Sequence, residues 1–529
     1  MNLKYRMFFA VLLVFFLVGN MASAVYAGGN EDSAQDKEFK TIKVGYFGDA
    51  PPTIDPANHR TRGAQTVVRN FTDGLLQAMP DGSLVPDLAE SITQVDEVTY
   101  EIKLRQGVTF HNGDLMTAED VVFSIERLAI DGGMEGETSP RKSLMGPIAS
   151  AEKKDDYTVI VKLLNPDYMY RRWYNVEIMP KKYFEEVGVD GFLKQPIGVG
   201  PFKVVDVDLP YQVVLERYEN YYGGAAELPG EVDRIPPVDR VIFNFIAEDA
   251  TRMAALLSGE VDIITNVPTD YVPLLQANPD IKVDSELGST FVYLAFNVNK
   301  APFNDKRVRQ AIAYAIDYDL ICEKIFSGYA DPKYGLPFLE PFEGEAGYGQ
   351  FNVQSPYHYD PEKAKALLEE AGVSGFSATI DTHAEFIEQV QPVAQMLGDI
   401  GLNVSVRVWE TGVIQQEFKK WERDMFFNAR GMGSKDPFAI DGSFSPGQAH
   451  NYCGYSNPTF DDLIKRAKIE GRASSEGRAL FFEALDIILE DIPIVSIYSP
   501  RAIEACRSNV KNFFPSGIGR VNLHRVDIE

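Results

Sequence analysis

Leu84-Val-Pro-Asp-Leu-Ala-Glu-Ser91 leads into Thr99-Tyr-Glu-Ile-Lys-Leu-Arg105, where Tyr100, Ile102 and Leu104 alternate with Glu101, Lys103 and Arg105. A period of two puts the apolar set on one face, so a half-buried strand is predicted. Gln106-Gly107 turns the chain, Val108-Thr-Phe110 reads as a short strand, and His111-Asn-Gly-Asp114 supplies the next turn from residues that tolerate tight backbone. Thr117-Ala-Glu-Asp120 then has the spacing of a capping box, with Val121, Val122, Ile125 and Leu128 at helical intervals behind it.

Outward from this stretch, 529 residues are too many for one ordinary core and suggest two or three domains, which 45% hydrophobic and 12% aromatic content can fill. With 51 basic and 77 acidic side chains the net charge is −26, which argues against binding nucleic acid or anionic membrane through a general basic field. An anionic ligand would need a local cluster of arginines.

Lys4 and Arg6 precede an apolar run over 7–18 and the small residues Ala22-Ser-Ala24 and Val25-Tyr-Ala27. That run is short for a membrane span and has the layout of a secretory signal peptide, expected over 1–27 with cleavage after Ala24 or Ala27. The first cysteine is Cys322, so no acyl-cysteine anchor is available near that site and a periplasmic protein is expected. Cys322, Cys453 and Cys506 allow at most one internal disulfide, or three buried, idle thiols; both readings stay open.

Further along, 41–45 and the alternating Tyr157, Val159, Val161 and Leu163 read as strands, 67–76 as a helix, and Trp173 as core. Gly198-Val-Gly-Pro-Phe202 lacks a lysine and Ser/Thr at P-loop spacing, so its glycines are read as backbone geometry. Helices are predicted over 251–257, after Asp305, over 360–372, 390–397 and 480–489, and strands over 293–297, 404–409 and 492–498.

The order LVPDLAES…YEIKLRQGVTFHNGDLMTAEDVVFSIERL (84–128), followed by FNVNKAPFNDKRVRQAIAYAID (296–317), closely resembles the large solute-binding proteins of the peptide and nickel class, family 5, which serve ATP-driven importers. The resemblance implies an α/β, two-lobed, periplasmic-binding-protein-like fold with three domains. The first would be discontinuous, over 41–83, 197–292 and 495–529; the second would be 84–196 and the third 293–494. It also implies an ABC permease and ATPase subunits as partners, a monomeric receptor and no cofactor.

Chemistry was sought first in enzyme motifs. The chain has no HExxH, paired CxxC, GxSxG or Walker lysine, and its six histidines are scattered without metal-ligand spacing. Three stretches that line the family's cleft carry arginine instead. Arg60, Thr61 and Arg62 follow Ile54-Asp-Pro56, which resembles the family's LDP turn, and Arg141 follows Ser139-Pro140 where a tyrosine is common. In the family, an aspartate after the 409-like strand pairs with a peptide's amino group. Counting back from Asp436-Pro437, its position holds Gly433, and the tryptophan position three residues earlier holds Arg430, so the ligand-facing run is Arg430-Gly431-Met432-Gly433.

A guanidinium matches carboxylate oxygens with a planar fork, each charge-assisted bond contributing about 1.5–3 kcal/mol. The plainer reading of each arginine alone is a surface ion pair in an acidic protein. Their coincidence with the missing aspartate points to an anionic, carboxylate-bearing solute, with a peptide as the alternative. Trp409 is weighed evenly between a cleft wall and plain core. An extracytoplasmic enzyme and a sensory binding protein are the rivals from other classes.

Overall fold

The computed structural model describes residues 39–48, 50–59, 61–78, 84–167, 169–224, 235–338, 353–373, 375–432, 437–471, 474–515 and 521–529. The leader expected over 1–27 lies outside them, as do Arg60 and Gly433.

β1 (Thr41–Tyr46) buries Ile42, Val44 and Tyr46. α1 (Arg62–Phe71) starts where the Thr61 hydroxyl accepts from Ala64 N at 3.1 Å, and ends where Thr72 turns extended. The helix read at 67–76 is thus displaced toward the N-terminus: the cap at Thr61 fixes its start, and Leu76–Ala78 leaves it to form a short strand.

β2 (Ala89–Asp96), β3 (Thr99–Leu104), β4 (Ile148–Asp155) and β5 (Thr158–Leu163) make an antiparallel sheet in the order β2-β3-β5-β4. Tyr100, Ile102 and Leu104 point inward and share a core with Val159, Val161, Trp173 and with Val121, Ile125 and Leu128 of α2 (Ala118–Ala129). The capping box forms, with the Asp120 carboxylate accepting from Thr117 N at 2.8 Å. Residues 108–110 do not make the short strand read there. Phe110 N closes the turn on Asp114 O at 2.8 Å, so only a single bridge, Thr109 with Leu115, remains.

The large sheet is assembled from β6 (Phe202–Asp208), β7 (Gln212–Arg217), β8 (Arg240–Phe245), β9 (Ile263–Ile264), β10 (Ile281–Leu287), β11 (Thr290–Phe296), β12 (Ala330–Pro332), β13 (Ser377–His383), β14 (Asn403–Trp409), β15 (Met425–Gly431) and β16 (Ile494–Arg507). With β1 its order is β14-β13-β15-β11-β16-β9-β1-β8-β7-β6, and β10 and β12 also pair along β16. β16 makes this possible because it is 14 residues long. Its first part pairs with β11 and β12, its second with β9 and β10. The sequence showed only its apolar first half, because the buried polar side chains of Ser499 and Glu504 end the hydrophobic run.

On one face of β11, β13 and β15 lie Val292, Leu294, Phe296, Ile380, Met425 and Phe427, covered by α3 (Lys306–Ala315) and α4 (Ile387–Asp399). Phe291, Tyr293 and Phe426 face the other way, toward α5 (Pro458–Glu470) and α6 (Ser475–Asp491). The final segment returns to α1, where Asn70 Nδ2 donates to Val521 O at 2.8 Å and Leu523 N donates to Asn70 Oδ1 at 3.1 Å. Cys322, Cys453 and Cys506 are free and buried; burial pushes the first two thiols up to about 12 and the third to about 11. Among the described residues no helix is long and apolar enough to cross a membrane.

Candidate functional site

The loop after β1 is fastened from below. Asp55, 1% exposed, accepts from both ends of the Arg127 fork, at 3.0 and 3.1 Å, and from Ala57 N at 2.8 Å. Ser139 Oγ donates to Ala57 O at 2.6 Å and accepts from Arg141 N at 3.0 Å. The Arg141 guanidinium donates to Glu177 at 2.7 and 3.2 Å, to Asn175 O at 3.3 Å and also to Pro56 O. Arg69 reaches the same carboxylate at 3.0 Å. Burial pushes the Glu177 carboxyl up, but the charges of Arg141, Arg69 and His59 and the Arg141 hydrogen bond outweigh it and hold it at about 2.

The fork that the sequence offers to a solute at Arg141 is therefore taken up by Glu177. Arg141 holds the loop in place, and its partner lies 36 residues away, where spacing gives no hint of it.

Against this loop lies a pocket of about 460 Å³, lined by Pro52, Asn58, Thr61, Met134, Glu137, Thr138 and Pro140. Thr61 is in the lining. Among the described residues the lining includes one carboxylate, Glu137, which is exposed, and no arginine. The exposed Arg62 sits beside it in sequence and donates to Ser289 Oγ at 3.3 Å. The carbonyl of Ser289 accepts from Met432 N at 2.6 Å. Arg62 and Met432, far apart in the chain, are thus joined through one serine just before β11.

Arg430 lies near the carboxyl end of β15, opposite Phe291, with Gly431 opposite Thr290. It is 8% exposed and donates to Ala439 O at 2.9 Å and to Ser443 Oγ. Among the described residues it makes no ion pair. Burial lowers its pKa below the usual arginine range, partly offset by Tyr293 and Asp441. Burial and then Arg430 in turn lower the His450 imidazole.

Trp409 ends β14. Its Nε1 donates to Asp381 Oδ1 at 2.7 Å, and Arg423 and Arg407 stand 4.9 and 5.2 Å from its ring. The half-buried ring is fixed by a carboxylate and two cations. Sequence reasoning missed Glu177, Ser289 and a line of buried polar groups under Arg430: Asn428, Tyr293 and His383. Asn428 stands two residues before Arg430 on the same strand face, and that period of two was the available signal. Among the described residues no group of three or more His, Cys, Asp or Glu is placed to hold a metal.

These features sit in a chain whose relatives are clear. The model for "Bacterial extracellular solute-binding proteins, family 5 Middle" matches residues 83–451. The chain belongs to this family. Its members are extracytoplasmic receptors of ABC importers, working with permease and ATPase components. The glutathione-binding protein GsiB of Pectobacterium atrosepticum is 28% identical over 490 residues, 87% of this chain and 89% of that protein. The family 5 chain is also similar to DppA of Helicobacter pylori, solved with the peptide STSA, at 27% identity and TM-score 0.71 over 92% of this chain and 98% of that one. HbpA2 of Haemophilus parasuis, at 22% identity, shares the fold with TM-score 0.80 over 92% of this chain and all of its own.

Proposed function

We propose that this family 5 receptor captures a small carboxylate-bearing solute between two hinged lobes and presents it to a permease without altering it. The observation that carries this reading is Arg430: a buried guanidinium with no carboxylate partner among the described residues, on the stretch where the family's amine-binding aspartate gives way to Gly433. A buried cation without its own counter-ion is costly, and a bound carboxylate offsets that cost. Arg62, exposed, next in sequence to the pocket-lining Thr61 and joined to Met432 through Ser289, supplies a second fork.

The domain division given above, export by residues 1–27 into a periplasm, a monomeric state and the lack of catalysis are parts of the same proposal. Solute held between lobes favours the closed form by the difference between its affinities for closed and open states.

A second reading, peptide capture, is favoured by Glu137, whose carboxylate in the pocket lining can receive an amino group. The DppA relative holds a peptide, and GsiB relatives are named for glutathione, which carries two carboxylates as well as an amine. Glu137 is exposed, so its attraction is screened, whereas the buried Arg430 is not. The test is a calorimetric titration with glutathione, sugar acids and neutral di- and tripeptides, on wild type and Arg430→Met. Carboxylate-dependent binding that Arg430→Met abolishes is the expected result. Tight binding of neutral peptides at pH 7, untouched by that substitution, would overturn the anionic reading.

A further inference from the structure

Below Arg430 a row of polar side chains crosses an otherwise aromatic sheet face. His383 pairs in register with Trp409; Asp381 pairs with Phe426, which puts His383 opposite Asn428; Asn428 pairs with Tyr293, and Tyr293 with Ser496. The row therefore runs β14, β13, β15, β11, β16 at one level of the sheet. His383, Asn428, Tyr293 and Ser496 are 2, 6, 4 and 0% exposed.

Their hydrogen bonds fix the direction of each group. His383 Nε2 lies 3.2 Å from Asn428 Oδ1, and Asn428 Nδ2 donates to the Tyr293 hydroxyl at 3.5 Å. Because Oδ1 only accepts, Nε2 carries the ring proton, and His383 Nδ1 is left as a buried lone pair with no partner among the described residues. Tyr293, having received a bond, keeps its own proton to give. Ser496 Oγ is likewise buried without a partner. Buried polar atoms left unpaired in a native fold call for an explanation. β13, β14 and β15 are parallel, and the row lies at their carboxyl ends, where open α/β sheets bind ligands.

We propose that His383, Asn428, Tyr293 and Ser496 form a specificity row that hydrogen-bonds hydroxyl groups of the solute next to the carboxylate held by Arg430, which selects a hydroxylated carboxylic acid of the sugar-acid type. A hydroxyl can give its proton to His383 Nδ1 and accept one from Tyr293; a methylene can do neither. This rests on the anionic reading above and goes beyond it by naming the uncharged part of the solute.

The test uses pairs matched in carbon skeleton: gluconate with hexanoate, tartrate with succinate, glycerate with propionate. Each is titrated into the full mature protein, with Tyr293→Phe, Ser496→Ala and His383→Gln alongside and the ligand-free melting temperature of each variant recorded. The expected result is at least a tenfold preference for the hydroxylated member of one pair or more, narrowed severalfold by Tyr293→Phe and Ser496→Ala. If Tyr293→Phe lowers the ligand-free melting temperature sharply, Ser496→Ala, the smaller change, carries the comparison. Equal binding of both members of every pair, a preference the variants leave intact, or no binding by any of the six acids overturns the row. In the first two outcomes the anionic reading survives; neutral peptides binding where no acid does removes both.

Discussion

Arg141 and Arg430 look alike in the sequence, each an arginine in a stretch expected to line a cleft, and the fold gives them opposite electrostatic situations. Arg141 shares Glu177 with Arg69; among the described residues Arg430 donates to a carbonyl and a hydroxyl and makes no ion pair. Removing one partner of a buried ion pair leaves uncompensated charge, so Glu177→Gln is expected to cost about 3–5 kcal/mol in urea unfolding at pH 7. The Glu177 carboxyl falls from an ordinary 4.5 to about 2 on folding, so its contribution is complete above pH 4.5 and is lost as pH falls through 2. Stability measured between pH 5 and 2 should therefore fall less steeply in Glu177→Gln than in wild type. Arg430→Met should behave in the contrary way. It removes a buried charge that has no ion-pair partner among the described residues, so the ligand-free protein should melt no lower, while carboxylate-dependent melting shifts disappear. Sequence could not separate the two arginines, because the deciding partner, Glu177, is brought in by the fold and not by spacing.

Local chemistry was the most legible part of the chain. The capping box at Thr117, the alternation in β3 and β5, and the cap at Asp360 ahead of the helix Pro361–Glu370 all form from neighbours a few residues apart. Thr117→Ala should cost about 1 kcal/mol in chemical denaturation, the usual worth of such a cap. Glycines 198 and 200 were read as backbone geometry, and the reason lies in α1. A Cβ at Gly198 would stand 2.1 Å from Phe71 O, and one at Gly200 2.6 Å from Phe71 C. Gly198→Ala is expected to lose about 3 kcal/mol or more and to lower the yield of folded protein. What escaped were elements decided by distant contacts. Residues 108–110 have strand composition but close a turn on Asp114, and β16 runs past its apolar half because strands on either side pair with its polar half.

At the scale of the molecule, the family and its α/β architecture were legible because the stretches 84–128 and 296–317 carry many mutually consistent elements. The candidate site was only partly so. Thr61 lines a pocket, and Arg62 reaches Met432 through Ser289. The polar row under Arg430 is assembled from four strands, with members from Tyr293 to Ser496, and apart from the spacing of Asn428 and Arg430 no linear pattern records it. A bound solute should raise the whole protein's stability by mass action, by about 2.7 kcal/mol at one hundred times its dissociation constant. A melting-temperature series against solute concentration checks this, and a flat series at saturating concentration would exclude a receptor for that compound.

β16 follows every other strand of the large sheet in sequence, yet it is the seam to which strands from both parts are stitched. Until β16 docks, each part is one strand short. Pairings such as Cys506 with Ile263 or Val495 with Leu294 close very long loops, and assembly that depends on them is slow. Topology thus leaves both parts of the large sheet incomplete until this one strand is in place, which makes its docking the step that joins them.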